Sequence, residues 1–425
     1  MSARSNNSIF VVTAIPTRVI DGEVCLDDQS CGGLARWLEH FDRVVFATVS
    51  IPEGMVEGST KWQRVSGLPF AHRLQVMPLP WAYSLMDFLK SYSSTRNLLR
   101  EQIHRAQFLC FVPSAVIGDW GSVAAWEALR AGRPYAVLLD RSEARFMRSS
   151  LPSLPARRRI KDTMILPIVA AHQHFIVRKS TVGLFQGRDC FSAFASVCDR
   201  PFCIYDVHTH KSDQIDEKVC ALKRSEVKYK ARLRVVYAGR ATDIKGPFDW
   251  LRALHKALEN GVDIEAAWLG DGPLLPDMVA YARELGIADR IDFVGFVDRA
   301  TVLHALRRSH IFLFCHTTTE SPRCLVEALV CGSPLLGYDS VYAQDIVAKH
   351  GGGVFVPRGQ WDQLARLLQE LDTDRERLSG LIRAACASGR SFDEETLYGE
   401  RAALIKKYLG PAGPEPIVHT GSTPV

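Results

Sequence analysis

The sequence has no apolar run long enough to cross a bilayer. Its best candidate, MILPIVAAHQHFIV, is 14 residues long and contains two histidines, whereas a spanning helix needs roughly 20 consecutive apolar residues. Charge of one sign is also scarce. The 52 Lys and Arg against 47 Asp and Glu leave a formal +5, too little in a chain of this size to point to nucleic acid as the partner. Eleven cysteines are present but without dense, regular spacing, which argues against a disulfide-stapled secreted scaffold and predicts a reducing, cytoplasmic setting. The opening stretch MSARSNNSIFVVTAIP has one arginine and a short apolar run, and it reads as a first strand, not an export signal.

At 425 residues, 47% hydrophobic and 23% charged, the chain has the composition of a folded protein and the length of two domains at roughly 150 or more residues each. Apolar runs alternate with amphipathic stretches: SIFVVTAI, GGLARWLEHF, RVVFATVS, FLCFVPS, SVAAWEALRAG, PYAVLLD. Strand, helix, strand with Gly or Pro at the joins predicts an α/β chain with doubly wound parallel sheets. Residues 141–180 are basic and Pro-broken and read as a surface helix and loop region, and FIVRKSTVGLFQGRD reads as the last strand of the first domain. The expected division is an N-terminal domain over 1–212, a C-terminal domain over 213–391, a helix over 392–410 returning to the first domain, and a disordered Pro, Gly, Ser and Thr-rich tail over 411–425.

The second half is the clearer α/β text, with five expected strands from RLRVVYAGR to SPLLGYDS. Ligands of open α/β sheets bind at the carboxyl ends of the strands. After VVYA come Gly239 and Arg240, and Lys245 and Gly246 follow on the same loop. A guanidinium fork and an ammonium together suit a diphosphate, and glycines allow close backbone approach. Read without function, the same pattern is a Gly turn with solvated charges. After HIFLFC come Glu320, Ser321, Pro322 and Arg323. Ser then Pro predicts a helix start, with Ser321 as cap and Pro322 at the first helical position, so that the N–H groups of Arg323 and Cys324 face the crevice with the helix dipole behind them. Glu320 and Glu327 would each accept paired hydrogen bonds from vicinal hydroxyls. The plain alternative for Glu327 is a surface ion pair with Arg323.

These residues resemble the retaining GT-B glycosyltransferases, in particular the large group that builds bacterial polysaccharides and glycolipids. The resemblance rests on GR…KG, on GDGP at Gly270 to Pro273, on VGFV at 294–297, and on E-SPR-LVEAL-CGSPLLGYDS, in that order over roughly 125 residues. It implies two Rossmann-like domains facing across a cleft and transfer of a sugar from a nucleotide-diphosphate sugar to a saccharide or lipid-linked acceptor, with retention and without metal or cofactor. It also implies roles: Arg240 and Lys245 on the donor diphosphate, Glu320 on the donor sugar, Glu327 on the ribose, and the backbone of Phe296 and Val297 around the base. Gly239, Gly270, Gly272, Ser321, Arg323 and Cys324 complete the donor set. The family's two glutamates usually have seven residues between them, and Glu320 and Glu327 have six. On the acceptor side the resemblance reaches only Gly32 and Gly33, paired glycines expected to open a helix, and places no N-terminal histidine near the donor.

Other features have bland readings. Asp372-Thr373-Asp374 imitates an Asp-x-Asp metal motif but follows a helix and reads as a cap with surface charge. His208, His210, Cys198, Cys203 and Cys220 lack zinc spacing. Arg157, Arg158, Arg159 and Lys161 precede an apolar segment and read as a solvated face or as a contact with an anionic membrane surface. Two competing functions remain: a nucleotide-sugar epimerase of the same architecture, and a sugar-nucleotide-binding protein without catalysis.

Overall fold

The computed structural model describes residues 7–52, 61–114, 116–229, 232–318 and 321–410. In the N-terminal half these are β1 (Ser8–Ile20), β2 (Glu23–Asp27), α1 (Asp28–His40), β3 (Arg43–Ser50), β4 (Trp62–Arg64), β5 (Leu74–Leu79), α2 (Leu85–Arg105), β6 (Phe108–Phe111), α3 (Trp120–Arg130), β7 (Ala136–Leu139), α4 (Glu143–Ser150), α5 (Ala156–Lys179), β8 (Val182–Gln186), α6 (Gly187–Phe194) and β9 (Pro201–Ile204). The parallel strands run β5-β3-β1-β6-β7-β8-β9, with β2 and β4 added antiparallel beyond the end of β1. The centres of β1, β6 and β8 are buried on both faces, as near-continuous apolar runs require.

The second half comprises α7 (Glu217–Lys228), β10 (Leu233–Ala238), α8 (Pro247–Glu259), β11 (Ile264–Leu269), α9 (Leu275–Glu284), β12 (Ile291–Gly295), α10 (Arg299–Arg308), β13 (Ile311–Phe314), α11 (Arg323–Val330), β14 (Leu335–Tyr338), α12 (Val341–Val347), β15 (Gly353–Val356), α13 (Trp361–Thr373), α14 (Arg375–Gly389) and α15 (Glu394–Leu409). Its parallel order is β12-β11-β10-β13-β14-β15. The chain winds outward from β10 in both directions, so the topological switch falls between β10 and β13. This sheet has six strands, not the five read from sequence, because GVFV at 353–356 pairs with β14. In the first half the strand expected to be last is confined to β8, because residues 175–179 end α5 and Gly187 opens α6, and β9 lies beyond it.

Residues 141–180 are more regular than expected. Most form α4 and the 24-residue α5, which continues through Pro167 although that residue has no N–H to donate. Leu166, Val169, Ile176 and Val177 face inward and hold the helix to the domain. The 14-residue apolar segment is thus part of a surface helix, and among the described residues no helix is long and apolar enough to cross a membrane. At the far end of the chain, Tyr398, Ala402, Ile405 and Leu409 of α15 join the N-terminal core beside Trp37 and Phe41, with Trp37 and Tyr398 edge to face at 5.5 Å. At the crossover, α7 is fixed to the second domain by the buried Lys223, which donates to the carbonyls of Leu306 and Cys331 and to Ser333.

Candidate active site

The loop after β10 is shaped by glycines. Gly246 has φ +61° and caps α8, and a Cβ there would lie 2.1 Å from the carbonyl oxygen of Cys315. A Cβ on Gly270 would lie 2.1 Å from the oxygen of Gly239, and one on Gly272 2.5 Å from that of Ala241. The loops after β10 and β11 therefore run backbone against backbone. They are joined where Ala241 N–H donates to Asp271 and Leu274 N–H to Ala241. Gly270 N–H donates in turn to Gly295 at the end of β12. Only residues without a side chain allow this spacing.

The loop after β13 joins the same assembly across the switch point. Thr317 N–H donates to Ile244 at 2.9 Å, and Thr317 Oγ1 to Asp243. His316 is buried, with Nε2 2.9 Å from Tyr237 Oη. Burial, with Lys245 nearby adding to it, holds its imidazole well below the usual histidine range. Arg240 is exposed and Lys245 half-buried on this loop, so the two cations stand where two strand ends diverge. Phe296, 60% exposed after the Gly295 turn, is an unusually open aromatic at the end of β12, and Val297 beside it is half-buried.

The helix after β13 departs from expectation. α11 begins at Arg323, with Pro322 in the cap position and no side-chain cap. Ser321 does not cap the helix; its Oγ lies 3.1 Å from the Cβ position of Gly187, at the seam with the first domain. Cys324 is half-buried in the first turn. Arg323 does not pair with Glu327. Its guanidinium crosses to the N-terminal side, donating to Gln29 at 2.7 Å and Asp206 at 2.8 Å. Glu327 has Arg299 at 3.7 Å instead, and burial pushes its carboxyl above the usual range. Glu320 lies outside the described residues.

A cleft of about 710 Å³ sits at the carboxyl ends of β1, β6, β7 and β8 and is closed on the far side by Arg323. Of the expected site residues, Arg323 and Gly33 line it, and Arg240, Lys245 and Glu327 do not. Gly32 and Gly33 do not open a helix, because α1 starts at Asp28, capped by Asp27, and carries both glycines in its second turn. Gly33 makes room for Tyr398, whose hydroxyl lies 2.7 Å from the Cβ position. Sequence reasoning missed the cleft's polar centre. Asp206 accepts from Arg323 and Arg401, and His208 has a buried Nε2 without a partner, its pKa lowered to about 4 by burial and by Arg323. No motif marks these residues, since they come from segments nearly 200 positions apart.

The decoys lie elsewhere. Asp374 accepts from Arg377 N–H at the start of α14, and Asp372 pairs with Arg375. His210 stands 3.2 Å from Glu394, away from Cys198 and Cys220 in separate cores. Among the described residues no group of three or more His, Cys, Asp or Glu is placed to hold a metal ion.

Two Rossmann-like domains whose carboxyl strand ends face one another define the GT-B fold. Residues 221–387 match the family model described as Glycosyl transferases group 1. It is similar to the 2-deoxystreptamine N-acetyl-D-glucosaminyltransferase of Streptomyces fradiae, 30% identical over 152 residues, 35% of this chain and 36% of the relative. It is also similar to the 2-deoxystreptamine glucosyltransferase of Streptomyces kanamyceticus, 27% identical over 148 residues, 35% of this chain and 38% of that one. The chain thus spans little more than a third of the length of these curated relatives. In fold it is similar to HepE of Anabaena, solved in complex with UDP, at a TM-score of 0.65 and 16% identity, covering 94% of this chain and all of that one.

Proposed function

We propose that this protein transfers a sugar from a nucleotide-diphosphate sugar to a saccharide or lipid-linked acceptor, with retention of anomeric configuration and no divalent metal. The observation that supports the reading is the joining of the loops after β10 and β13 at the switch point, where Thr317 N–H donates to Ile244, the neighbour of Lys245 on the Arg240 loop. In this reading the two cations and the α11 amides stabilise the departing diphosphate. The departing phosphate oxygen takes the proton of the acceptor hydroxyl on the same face. Glu327 accepts from the ribose, Glu320 from the transferred sugar, and the open ring of Phe296 with Val297 frames the base. Gly239, Gly270 and Gly272 let the backbone approach the nucleotide. The relatives' names and the UDP held by HepE support a nucleotide-sugar donor.

A peripheral contact with an anionic membrane belongs to the same reading. Ile160, Met164 and Ile168 form one row on α5, 57–72% exposed, with Arg157, Arg158, Arg159 and Lys161 exposed at its start. A basic, apolar helix face of this kind suits the surface of an anionic bilayer.

The test is turnover with uridine, guanosine and adenosine diphosphate sugars in excess EDTA, followed by NMR of the new anomeric centre. Transfer with retention is the expected result. Epimerised donor, binding without turnover, an inverted linkage, or activity restored only by Mg²⁺ or Mn²⁺ would each replace it. Within the site, Glu327→Ala is expected to weaken the nucleoside diphosphate itself, whereas Glu320→Ala weakens chiefly the intact nucleotide sugar.

A further inference from the structure

A second recess, about 310 Å³, opens between α4 and the domain seam, and shares Asp140 and Arg141 with the large cleft. Arg145 and Arg148 project into it from α4, one turn apart on the same helix. Arg141, also at its wall, is committed to Glu143 at 3.0 Å and lies 4.0 Å above the Phe146 ring. Arg145 donates to the Asp189 carbonyl at 3.1 Å. Neither Arg145 nor Arg148 forms an ion pair within 4.0 Å among the described residues. Ser321 closes the recess from the second domain, two positions before α11.

Two guanidinium groups one helical turn apart, exposed at the wall of a recess and with Asp189 as the acidic neighbour of Arg145, are suited to grip a phosphate oxygen by oxygen. An acidic group in the same wall narrows the ligand further. The Asp189 Oδ2 atom is buried without a hydrogen-bond partner, and burial pushes this carboxyl upward. A buried acceptor left unpaired is costly and marks a missing donor. A sugar hydroxyl next to a phosphate supplies that donor from a neighbouring carbon, whereas inorganic phosphate has only its own P–OH to offer.

We propose that this recess is a subsite for a phosphorylated sugar in the acceptor, with the phosphate on Arg145 and Arg148 and a neighbouring hydroxyl donating to Asp189. The inference rests on the glycosyltransferase reading, because the recess meets the acceptor cleft at Asp140 and the donor loop at Ser321. The same chemistry is presented by a soluble sugar phosphate and by a sugar phosphate esterified to a lipid.

The experiment is calorimetry on the full chain with the donor site first saturated by a nucleoside diphosphate, so that added phosphate does not report on Arg240 and Lys245. The probes are glucose 1-phosphate, glucose, inorganic phosphate, and the dodecyl ester of glucose 1-phosphate in phosphatidylcholine vesicles. Glucose 1-phosphate is expected to bind more tightly than glucose by about tenfold or more, as charge-assisted hydrogen bonds provide. Arg145→Ala with Arg148→Ala removes that margin, and the paired lysine substitutions keep part of it. Asp189→Asn weakens glucose 1-phosphate more than it weakens inorganic phosphate. Tighter binding of the free sugar phosphate assigns a soluble acceptor, and tighter binding of the vesicle-borne ester a lipid-linked one. Equal binding of glucose and glucose 1-phosphate, or unchanged affinity for every phosphate probe in the double alanine variant, overturns the subsite. Failure of all nucleoside diphosphates to bind the unaltered chain would instead overturn the glycosyltransferase reading.

Discussion

On the side we propose for the donor the backbone itself sets the shape: the loops after β10 and β11 approach so closely that a Cβ on Gly270 would lie 2.1 Å from the Gly239 carbonyl oxygen. On the acceptor side the cleft is held by side chains that arrive from distant segments, Gln29 on α1, Asp206 after β9, Arg323 on α11 and Arg401 on α15. The first kind of site depends on residue types at short spacing along one loop. The second depends on a tertiary arrangement, and its members are ordinary residues until the domains meet. The loops around Gly270 therefore tolerate few substitutions at their glycines, whereas the cleft can change one side chain at a time.

The largest effect expected from breaking this contrast is on the donor side. Arg240→Ala or Lys245→Ala should lower transfer by about 10² to 10³, the loss found when a charge-stabilising donor is removed from a transition state, roughly 2.7 to 4 kcal/mol. Circular dichroism and melting temperature should stay unchanged, since Arg240 is exposed and Lys245 half-buried on a surface loop. Activity at the unaltered level in either variant would remove both residues from the site.

Next comes the backbone. Gly246→Ala combines a left-handed conformation with a Cβ 2.1 Å from the Cys315 carbonyl, and strain at such a position costs about 1 to 3 kcal/mol before the clash is counted. Urea unfolding should show a loss of at least that size. A midpoint within error of the unaltered chain would mean that the two loops are not pressed together.

These contrasts explain what the sequence made legible. The GR…KG and GDGP motifs could be read because Gly at a strand end implies a backbone requirement, and the near-continuous apolar strands of the second half implied a parallel sheet. Glu327 and Arg323 were legible as polar residues near a helix start, but their partners were not. Arg323 belongs to Gln29 and Asp206, and no spacing rule connects position 323 with 29. The sixth strand was missed because GVFV is short and glycine-led. Helix α5 was underestimated because Pro167 reads as a breaker, although burial of Leu166 and Val169 on either side of it carries the helix through.

A smaller effect separates the buried core of the donor side from its charged rim. His316 resists protonation through burial first and Lys245 second, and His310 through burial first and Arg234 second. A histidine depressed in this way contributes stability that is intact above the unfolded value of about 6.5 and is lost as pH falls below it, where only the unfolded chain takes up the proton. Each adds a slope of up to about 1.4 kcal/mol per pH unit in that window. Unfolding free energies measured between about pH 7.5 and 5.5 should fall accordingly, and His316→Asn should flatten part of the slope. An identical slope in the variant would show that His316 takes up its proton as readily in the folded protein as in the unfolded chain.

The smallest effect is on the acceptor side, where two adjacent glycines that look alike in the sequence differ in their surroundings. Gly32 is exposed in the second turn of α1, with nothing within 4 Å of an added Cβ and an ordinary helical backbone. Glycine inside a helix costs roughly 0.5 to 1 kcal/mol relative to alanine, mainly through the freedom it gives the unfolded chain. Gly32→Ala should therefore stabilise the protein by about that amount. Gly33→Ala adds the same helical preference, but its Cβ would meet the Tyr398 hydroxyl at 2.7 Å. Tyr398 is buried against Trp37 and cannot yield without moving α15, so the second substitution should destabilise. Opposite shifts in melting temperature from neighbouring glycines would locate the acceptor-side constraint in the packing of α15 on α1. Two equal stabilising shifts would show instead that α15 is only loosely docked, and that Gly33 has the freedom of an ordinary helical position.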